Sequence, residues 1–461
     1  MNIAQGHLSS QALLLLETSS GSMALDLITR NSKTLSPEDA EKQVRVKGWA
    51  QEIRNLGGIS FLILRDRYGT VQVTAPKKKV APEIMEVLTS LSRESVVEVC
   101  GTAKASNQAK SGAEVIPESI KLLSAAASPL PLGVVDKVNA EMDTRYDHRF
   151  MDLRKPEARA VFEIKSKVLS LIDEYLLGEE FVEVFSPKIV ASGAEGGATL
   201  FKLDYFGKPA YLAQSPQLYK QMMMSTGLDR IFEIGPAFRA EPSDTVRHVS
   251  EFISFDGEMA YIDSMNDVMQ MLEGCIQHVI KGVEESSTAQ LEILGSEIKV
   301  PKAPYPIIEY KDAVEIVSKE GMEINLGDDL GTEGEKILGN VMNEKGYEMY
   351  WIVEYPEEAK PFYIMEKEGT PYSYSFDLDY KGQEISSGGQ REHRYDVLVD
   401  RIGKKGLNPE DFNFYLDAFK YGMPPHGGWG IGVERLVQKM LSLPNVREAI
   451  LFPRDRMRLV P

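Results

Sequence analysis

Residues 231–261 read IFEIGPAFRAEPSDTVRHVSEFISFDGEMAY, and residues 422–437 read GMPPHGGWGIGVERLV. In the first stretch, Asp256 and Glu258 are two apart in a strand-like run, so they share one face of that strand. Two carboxylates on one face repel unless a cation or an ammonium group lies between them. In the second stretch, Gly427, Gly428, Gly430 and Gly432 let the backbone come close to a ligand, and ERLV then begins a helix. The surrounding chain mixes strands and helices without the regular strand–helix alternation of a doubly wound fold. It has no GxxxxGK[ST] loop, and no GxGxxG follows a strand at the right spacing. Any nucleotide held here is held by other means. An α+β fold is expected.

Further out, a helix is expected from about Glu157 to Leu177. Residues 44–124 read as short strands rich in β-branched residues: VRVKGWAQEI, ISFLILRDR, TVQVTA and VVEVCGTAKA. Asn55, Gly57, Gly58 and Gly69 punctuate the first of them, and Ile84–Leu91 reads as a short helical insert. This pattern points to a five-stranded barrel of the OB type. The domain reading is therefore a polar, mobile leader at 1–40, a barrel at 41–126, a Pro-rich linker at 127–155 and a catalytic domain at 156–461. A small insert is expected near 285–350. An ordered pattern begins only near Val44, which makes Met23 an alternative start.

The chain has 461 residues and a net charge of −17. Residues 40–125 hold 13 Lys and Arg against 9 Asp and Glu. Charge acts locally, over roughly 8–10 Å at physiological salt, so this mildly basic module can bind nucleic acid although the body is acidic. Cys100 and Cys275 stand far apart without CxxC context, so neither a zinc site nor a disulfide framework is expected. No apolar run approaches membrane-spanning length, so no membrane partner is expected and the cytoplasm is the expected location.

With EEFVEVFSPKIVASGAEGG at 179–197, the two opening stretches resemble motifs 1, 2 and 3 of the class II aminoacyl-tRNA synthetases. ASGAEGGATLF, QSPQLYKQ and SSGGQREHR narrow the resemblance to aspartyl enzymes of the archaeal and eukaryotic type, from about Val44 to Pro461. The family fold is an antiparallel sheet flanked by helices, preceded by an OB anticodon-binding barrel. The implied reaction activates L-aspartate with ATP and magnesium, then transfers it to tRNA(Asp).

The resemblance assigns roles that the residue chemistry suits. Arg239 and Arg435 are the catalytic cations, since a guanidinium fork binds phosphate and carboxylate oxygens. Nucleotide contacts fall on Arg239, Ala240, Glu241, Arg247, His248, Val249, Phe252, Glu384, Gly432, Val433, Glu434 and Arg435. Of these, Glu241 would accept from the adenine amino group, Phe252 would stack under the base, and Arg247 and His248 would reach the outer phosphates. Magnesium falls to Glu384 and Ser387, as oxygen ligands. Aspartate contacts are Glu195, Gln217, Leu218, Tyr219, Lys220, Arg239, Asp256, Ser387 and Arg391.

Lys220 and Arg391 would grip the side-chain carboxylate, while Glu195, Gln217 and Asp256 suit the α-amino end. A neutral amide would leave these cations unmatched. Lys220, with REH after GGQ, therefore speaks against an asparaginyl enzyme. Retention of Arg239, Arg435 and Glu384 speaks against a non-catalytic paralogue. The N-terminal barrel speaks against an amide-forming asparagine synthetase, which needs no anticodon reader.

In the barrel, Arg54, Phe61 and Gln72 match the family's anticodon readers. Gln51 and Lys110 match the positions linked to the choice between tRNA(Asp) and tRNA(Asn). A Trp at the Gln51 position accompanies strict reading, and His or Gln accompanies tolerance, so charging of tRNA(Asn) as well is expected. Pro187 in motif 1 implies a homodimer.

Overall fold

The computed structural model describes residues 27–135, 140–191, 200–240 and 247–461, which divide into two compact units at residue 138. The first unit is built from β1 (Ile28–Thr29), β2 (Gln43–Leu56), β3 (Ile59–Arg65), β4 (Thr70–Pro76), α1 (Pro82–Ser90), β5 (Val96–Ala105) and β6 (Ala113–Ser124). Its strands run in the order β1-β2-β3-β4-β6-β5, and β2 also pairs with β5. That last pairing closes a five-stranded barrel and removes its open edges. Alternation along each strand sends Val44, Val46, Leu62, Leu64, Val71, Val73, Val97 and Val99 inward, and α1 adds Ile84 and Leu88.

Part of the expected leader is integral to this barrel. β1 pairs in parallel with β2, Leu35 is buried in the barrel core, and Arg30 makes a double hydrogen bond to Asp39 at 2.8 Å. A strand of two residues is too short to show a periodicity of its own. Met23 lies outside the described residues.

The second unit begins with α2 (Met142–Asp147), α3 (Arg149–Asp152) and α4 (Pro156–Gly178). The first two fall in the expected linker, yet they are anchored to the chain's last residues. Arg145 bonds Glu448 at 2.7 and 2.8 Å, and buried Arg149 donates to the carbonyls of Ile450 and Leu451. Such long-range pairing leaves no local sequence signal.

Next come β7 (Val182–Glu183), β8 (Ile189–Val190), β9 (Lys202–Tyr205), β10 (Lys208–Leu212), α5 (Gln217–Met223), β11 (Arg230–Phe238) and β12 (Glu251–Ala260). They are followed by α6 (Met265–Ser286), α7 (Thr288–Leu294), β13 (Ile307–Glu309), α8 (Tyr310–Lys319), α9 (Gly331–Glu344) and β14 (Met349–Val353). The chain ends with β15 (Ser375–Tyr380), β16 (Glu384–Gln390), α10 (Tyr395–Lys404), α11 (Asn413–Lys420), β17 (His426–Gly432) and α12 (Val433–Leu441).

Eight of these strands form one sheet in the order β13-β14-β15-β16-β17-β12-β11-β7, antiparallel except for its two outermost pairs. Phe232, Phe255, Trp351, Phe376 and Trp429 face one side, where α4, α6, α7 and α12 cover them. Ser254, Asp256 and Glu258 alternate onto the opposite face. There α5, α10 and α11 build a separate apolar cluster around Phe362, Leu398 and Tyr415.

The segment expected as an insert near 285–350 does not stand apart. Leu291 and Tyr305 join the main core, and β13 and β14 complete the sheet's edge. Every residue of β14 is buried, which fits its unbroken apolar run MYWIV.

Candidate active site

The polar face of the sheet borders a cavity of about 260 Å³. Lys220, Arg239, Arg391 and Arg435 all line it, together with Gln217, Arg247, His248, Val249, Phe252, Asp256, Glu384, Ser387, Gly432 and Glu434. Residues more than 200 positions apart are thus gathered by β11, β12, β16 and β17 lying side by side. Helical spacing explains the rest: α5 presents Gln217 and Lys220, three apart, on one face. Leu218 packs instead into the apolar cluster behind α5, and Val433 packs into the main core. Neither these two nor Tyr219 and Ala240 line the cavity. Glu195 and Glu241 lie outside the described residues.

One end of the cavity is a buried lattice of opposite charges. Lys220 donates to Asp256 at 3.1 Å and to the Trp429 carbonyl at 2.8 Å, and its ammonium lies 3.4 Å from Glu258. Arg391 bonds both oxygens of Glu258 at 2.8 and 3.2 Å and reaches Gln217 at 3.4 Å. Burial by itself would raise the Glu258 pKa, but Arg391 and Lys220 outweigh it and hold the carboxyl below its ordinary value. His426, fully buried beside this lattice, is pushed down to about 4, chiefly by burial, and is neutral at pH 7. The glycines of β17 serve this packing. A side-chain carbon on Gly428 would come within 2.2 Å of Glu258. At Gly257 one would strike the Trp429 ring, also at 2.2 Å.

The other end presents guanidiniums. Arg239 lies 5.2 Å over the Phe252 ring, and its backbone N–H donates to Ser250. Arg435 donates to the Glu384 carbonyl at 3.4 Å and lies 3.8 Å from the Glu384 carboxylate. The strand beneath Phe252 is pinned to α12: Glu434 accepts from the Ile253 N–H at 3.0 Å and from Lys165 at 2.6 Å.

Beside Glu384 lies a group of acids on β15 that do not themselves line the cavity. Asp377 stands directly opposite Ser387 in the β15–β16 ladder, and Lys360 bonds it at 3.0 and 3.1 Å. Burial, then the nearby Asp377 charge, push the Glu384 carboxyl up. Asp379, fully buried, is pushed up strongly by burial and by Glu335, Glu384 and Asp377. Crowded acids of this kind gain from a hard cation, and carboxylate and hydroxyl oxygens are what magnesium takes. Glu384, Ser387 and Asp377 offer oxygens of the donor type magnesium takes, with Asp377 at present matched by Lys360. No preformed cluster of three metal-binding side chains occurs among the described residues. Asp377 and Asp379, two apart in SFDLDY, repeat the spacing of Asp256 and Glu258.

In the barrel, Arg54, Phe61 and Thr74 stand opposite one another across β2, β3 and β4. Phe61 is half-buried and points away from the apolar core, because its neighbours Ser60 and Leu62 take the inward positions. Gln72 faces this row and donates to Glu114 at 2.8 Å, while Arg54 is held by both oxygens of Glu52 at 2.7 Å. Gln51 is the extra residue of a β-bulge between Ala50 and Glu52 and accepts a long bond from Arg65 at 3.5 Å. Lys110 is exposed in the turn between β5 and β6.

Comparison with known proteins follows the two units. Residues 141–456 match the family described as tRNA synthetases class II (D, K and N), and residues 44–123 match the OB-fold nucleic acid binding domain. The chain is 54% identical to the aspartate–tRNA(Asp) ligase of Pyrococcus abyssi over 437 residues, covering 94% of this chain and 100% of that protein. It is 49% identical to the aspartate–tRNA(Asp/Asn) ligase of Methanothermobacter thermautotrophicus over 434 residues, covering 94% and 98%. Among solved structures, the asparaginyl-tRNA synthetase of Pyrococcus horikoshii with asparaginyl-adenylate aligns with a TM-score of 0.87 at 35% identity, covering 93% of this chain and 98% of that one. The aspartyl-tRNA synthetase of Entamoeba histolytica aligns with a TM-score of 0.85 at 32% identity, covering 95% and 94%.

Proposed function

The chain belongs to the class II tRNA synthetases of the D, K and N group, and from that premise we propose that it is an aspartate–tRNA ligase that charges both tRNA(Asp) and tRNA(Asn). One observation carries the choice of amino acid: Lys220 and Arg391 line the same cavity as Arg239 and Arg435. Two buried cations at one end suit a free carboxylate side chain, and two guanidiniums at the other suit a nucleotide.

In this reading the aspartate side chain enters beside Lys220 and Arg391, whose present partners are Asp256 and Glu258. Asp256 and Gln217 are then placed to receive the ammonium group. One α-carboxylate oxygen attacks the α-phosphorus of ATP, the bond to the bridging oxygen breaks, and pyrophosphate leaves. Arg239 meets the charge that grows on the α-phosphoryl oxygens, and Arg435 steadies the outer phosphates. Phe252 offers a flat face to adenine. Magnesium, held by Glu384, Ser387 and Asp377, would supply charge neutralisation for the phosphates. A terminal ribose hydroxyl of the tRNA then attacks the activated carbonyl and AMP departs.

Residues 41–126 would read the anticodon, with Phe61 stacking a base and Arg54 and Gln72 at its edge. The relatives named above include both strict and dual ligases at similar identity, so overall likeness does not separate them. Gln51 supports the dual reading: at a bulge it is free of ladder constraints, and a flexible amide can meet either C or U.

A homodimer is proposed from the region around Pro187. β7 is an edge strand of the sheet, and Leu177, Val182, Phe185 and Ile189 are exposed there, Phe185 by 75%. Exposed apolar groups beside an open edge favour a partner surface. A cytoplasmic location is compatible with the need for ATP and tRNA.

The decisive experiment is aminoacylation of tRNA(Asp) and tRNA(Asn) transcripts with labelled aspartate and labelled asparagine. Aspartate should load onto both RNAs and asparagine onto neither. Loading of tRNA(Asp) alone would leave a strict ligase, and loading of asparagine would overturn the substrate. Sedimentation at micromolar concentration should show twice the 51.4 kDa chain mass.

A further inference from the structure

Helix α9 lies in the stretch whose sequence carries no motif, yet one of its side chains bonds an arginine that lines the cavity. Glu335 is buried and accepts a hydrogen bond from Arg247 at 2.7 Å. The same oxygen accepts from the backbone N–H of Glu384 at 3.3 Å. The helix is seated closely enough to make this contact firm. A side-chain carbon on Gly339 would fall 2.3 Å from the Cα of Gly382. Gly382 itself has a φ of 68°, a conformation glycine adopts without strain. So α9 rests on the turn at 381–383 that leads directly into Glu384.

One carboxylate thereby ties together a helix outside the recognised motifs, Arg247 of motif 2, and the first residue of β16. An acid so near a triphosphate site is unfavourable for binding unless its charge is matched. Here it is matched by Arg247, which lines the cavity. Glu335 is not itself among the lining residues.

We propose that Glu335 is a positioning residue for ATP: it holds Arg247 at the cavity wall where the outer phosphates lie, and does not touch the nucleotide. This rests on the reading of the cavity as an ATP site. With the Glu335 bond lost, Arg247 would sample more positions at the wall, and ordering it on binding would weaken affinity. The effect should be confined to ligands that carry outer phosphates.

The test is equilibrium binding of ATP and of AMP, by calorimetry with magnesium present, to the full chain and to E335Q, E335A, R247A and the double variant R247A/E335Q. Glu335→Gln keeps the size and an acceptor for the Glu384 N–H, so folding is preserved even if E335A fails to fold. ATP should bind E335Q five- to twentyfold more weakly, while AMP changes less than twofold. R247A should show the same ATP-selective loss, and E335Q should add nothing to it. Equal weakening of ATP and AMP, additive losses in the double variant, or ATP binding that is unchanged or tighter in E335Q would each overturn the assignment. A wild-type chain that binds neither nucleotide would instead overturn the ATP reading beneath it.

Discussion

The ammonium of Lys220 lies 3.1 Å from the Asp256 carboxylate, and both side chains are buried. The cation expected to read a substrate acid is thus already neutralised by acids of the chain's own. Removing one partner of such a pair leaves an uncompensated buried charge, which costs about 3–5 kcal/mol.

Lys220→Met is therefore expected to lose stability as well as substrate. In aspartate-dependent exchange of pyrophosphate into ATP, kcat/KM should fall at least about a hundredfold, the loss of roughly 3 kcal/mol of charge-assisted bonding. Ammonium held by Asp256 would persist, so binding should weaken mainly through the side-chain carboxylate. Near-normal exchange with K220M would remove Lys220 from the substrate pocket.

The barrel should be separable from the chemistry. Phe61→Ala is expected to weaken tRNA binding by about 1–3 kcal/mol, the range for one base stacked on an aromatic ring. Pyrophosphate exchange needs no tRNA and should be unchanged. The comparison is KM for tRNA against the exchange rate. Equal loss in both would make Phe61 a folding residue.

At the bulge, Gln51→Trp should narrow the choice of tRNA. Charging of tRNA(Asn) should fall at least about tenfold, equivalent to 1.4 kcal/mol, with tRNA(Asp) charged within twofold of wild type. Paired aminoacylation assays on the two transcripts read this directly. Equal retention of both substrates would show that the bulge position does not carry the choice.

His426 makes stability depend on pH with a definite sign. Its folded pKa, about 4, lies below the unfolded value of about 6.5. As pH falls through that window the unfolded chain takes up a proton that the folded chain refuses. Stability should therefore drop, by up to about 3 kcal/mol from this group. Urea unfolding of wild type and His426→Gln at several pH values checks it: the variant should show a shallower fall between pH 6.5 and 4. Identical slopes would mean that the imidazole is not excluded from protonation.

Much of the fold is legible in the amino acids alone, and so are most of the cations that border the cavity. The barrel strands can be read because glycine and asparagine punctuate them, and α4 because its apolar positions repeat at helical spacing over six turns. Motifs point to Arg239, Lys220, Arg391 and Arg435, and the sheet order explains why residues so far apart in sequence border one cavity. Leu218 and Tyr219 are swept in by adjacency to Lys220. Helical geometry turns them away, since neighbours on a helix point about 100° apart. β1 escapes a local reading because it is only two residues long, and α2 and α3 because distant partners hold them. Glu335 is hidden for a related reason: its role comes from α9 packing on the turn before Glu384, and nothing in GTEGEKILGN announces that contact.

Trp429 belongs to two environments at once. Its ring fills the helix-covered core against Gly257, Phe181 and Phe255, while its carbonyl fixes the Lys220 ammonium. A shift of a few tenths of an ångström in that core would be transmitted to Lys220, the cation proposed to tell acid from amide. Changes of amino-acid preference are then most accessible at Lys220 itself. Repacking around the indole would disturb fidelity and folding together, which makes that patch of interior one of the least tolerant of drift in the whole chain.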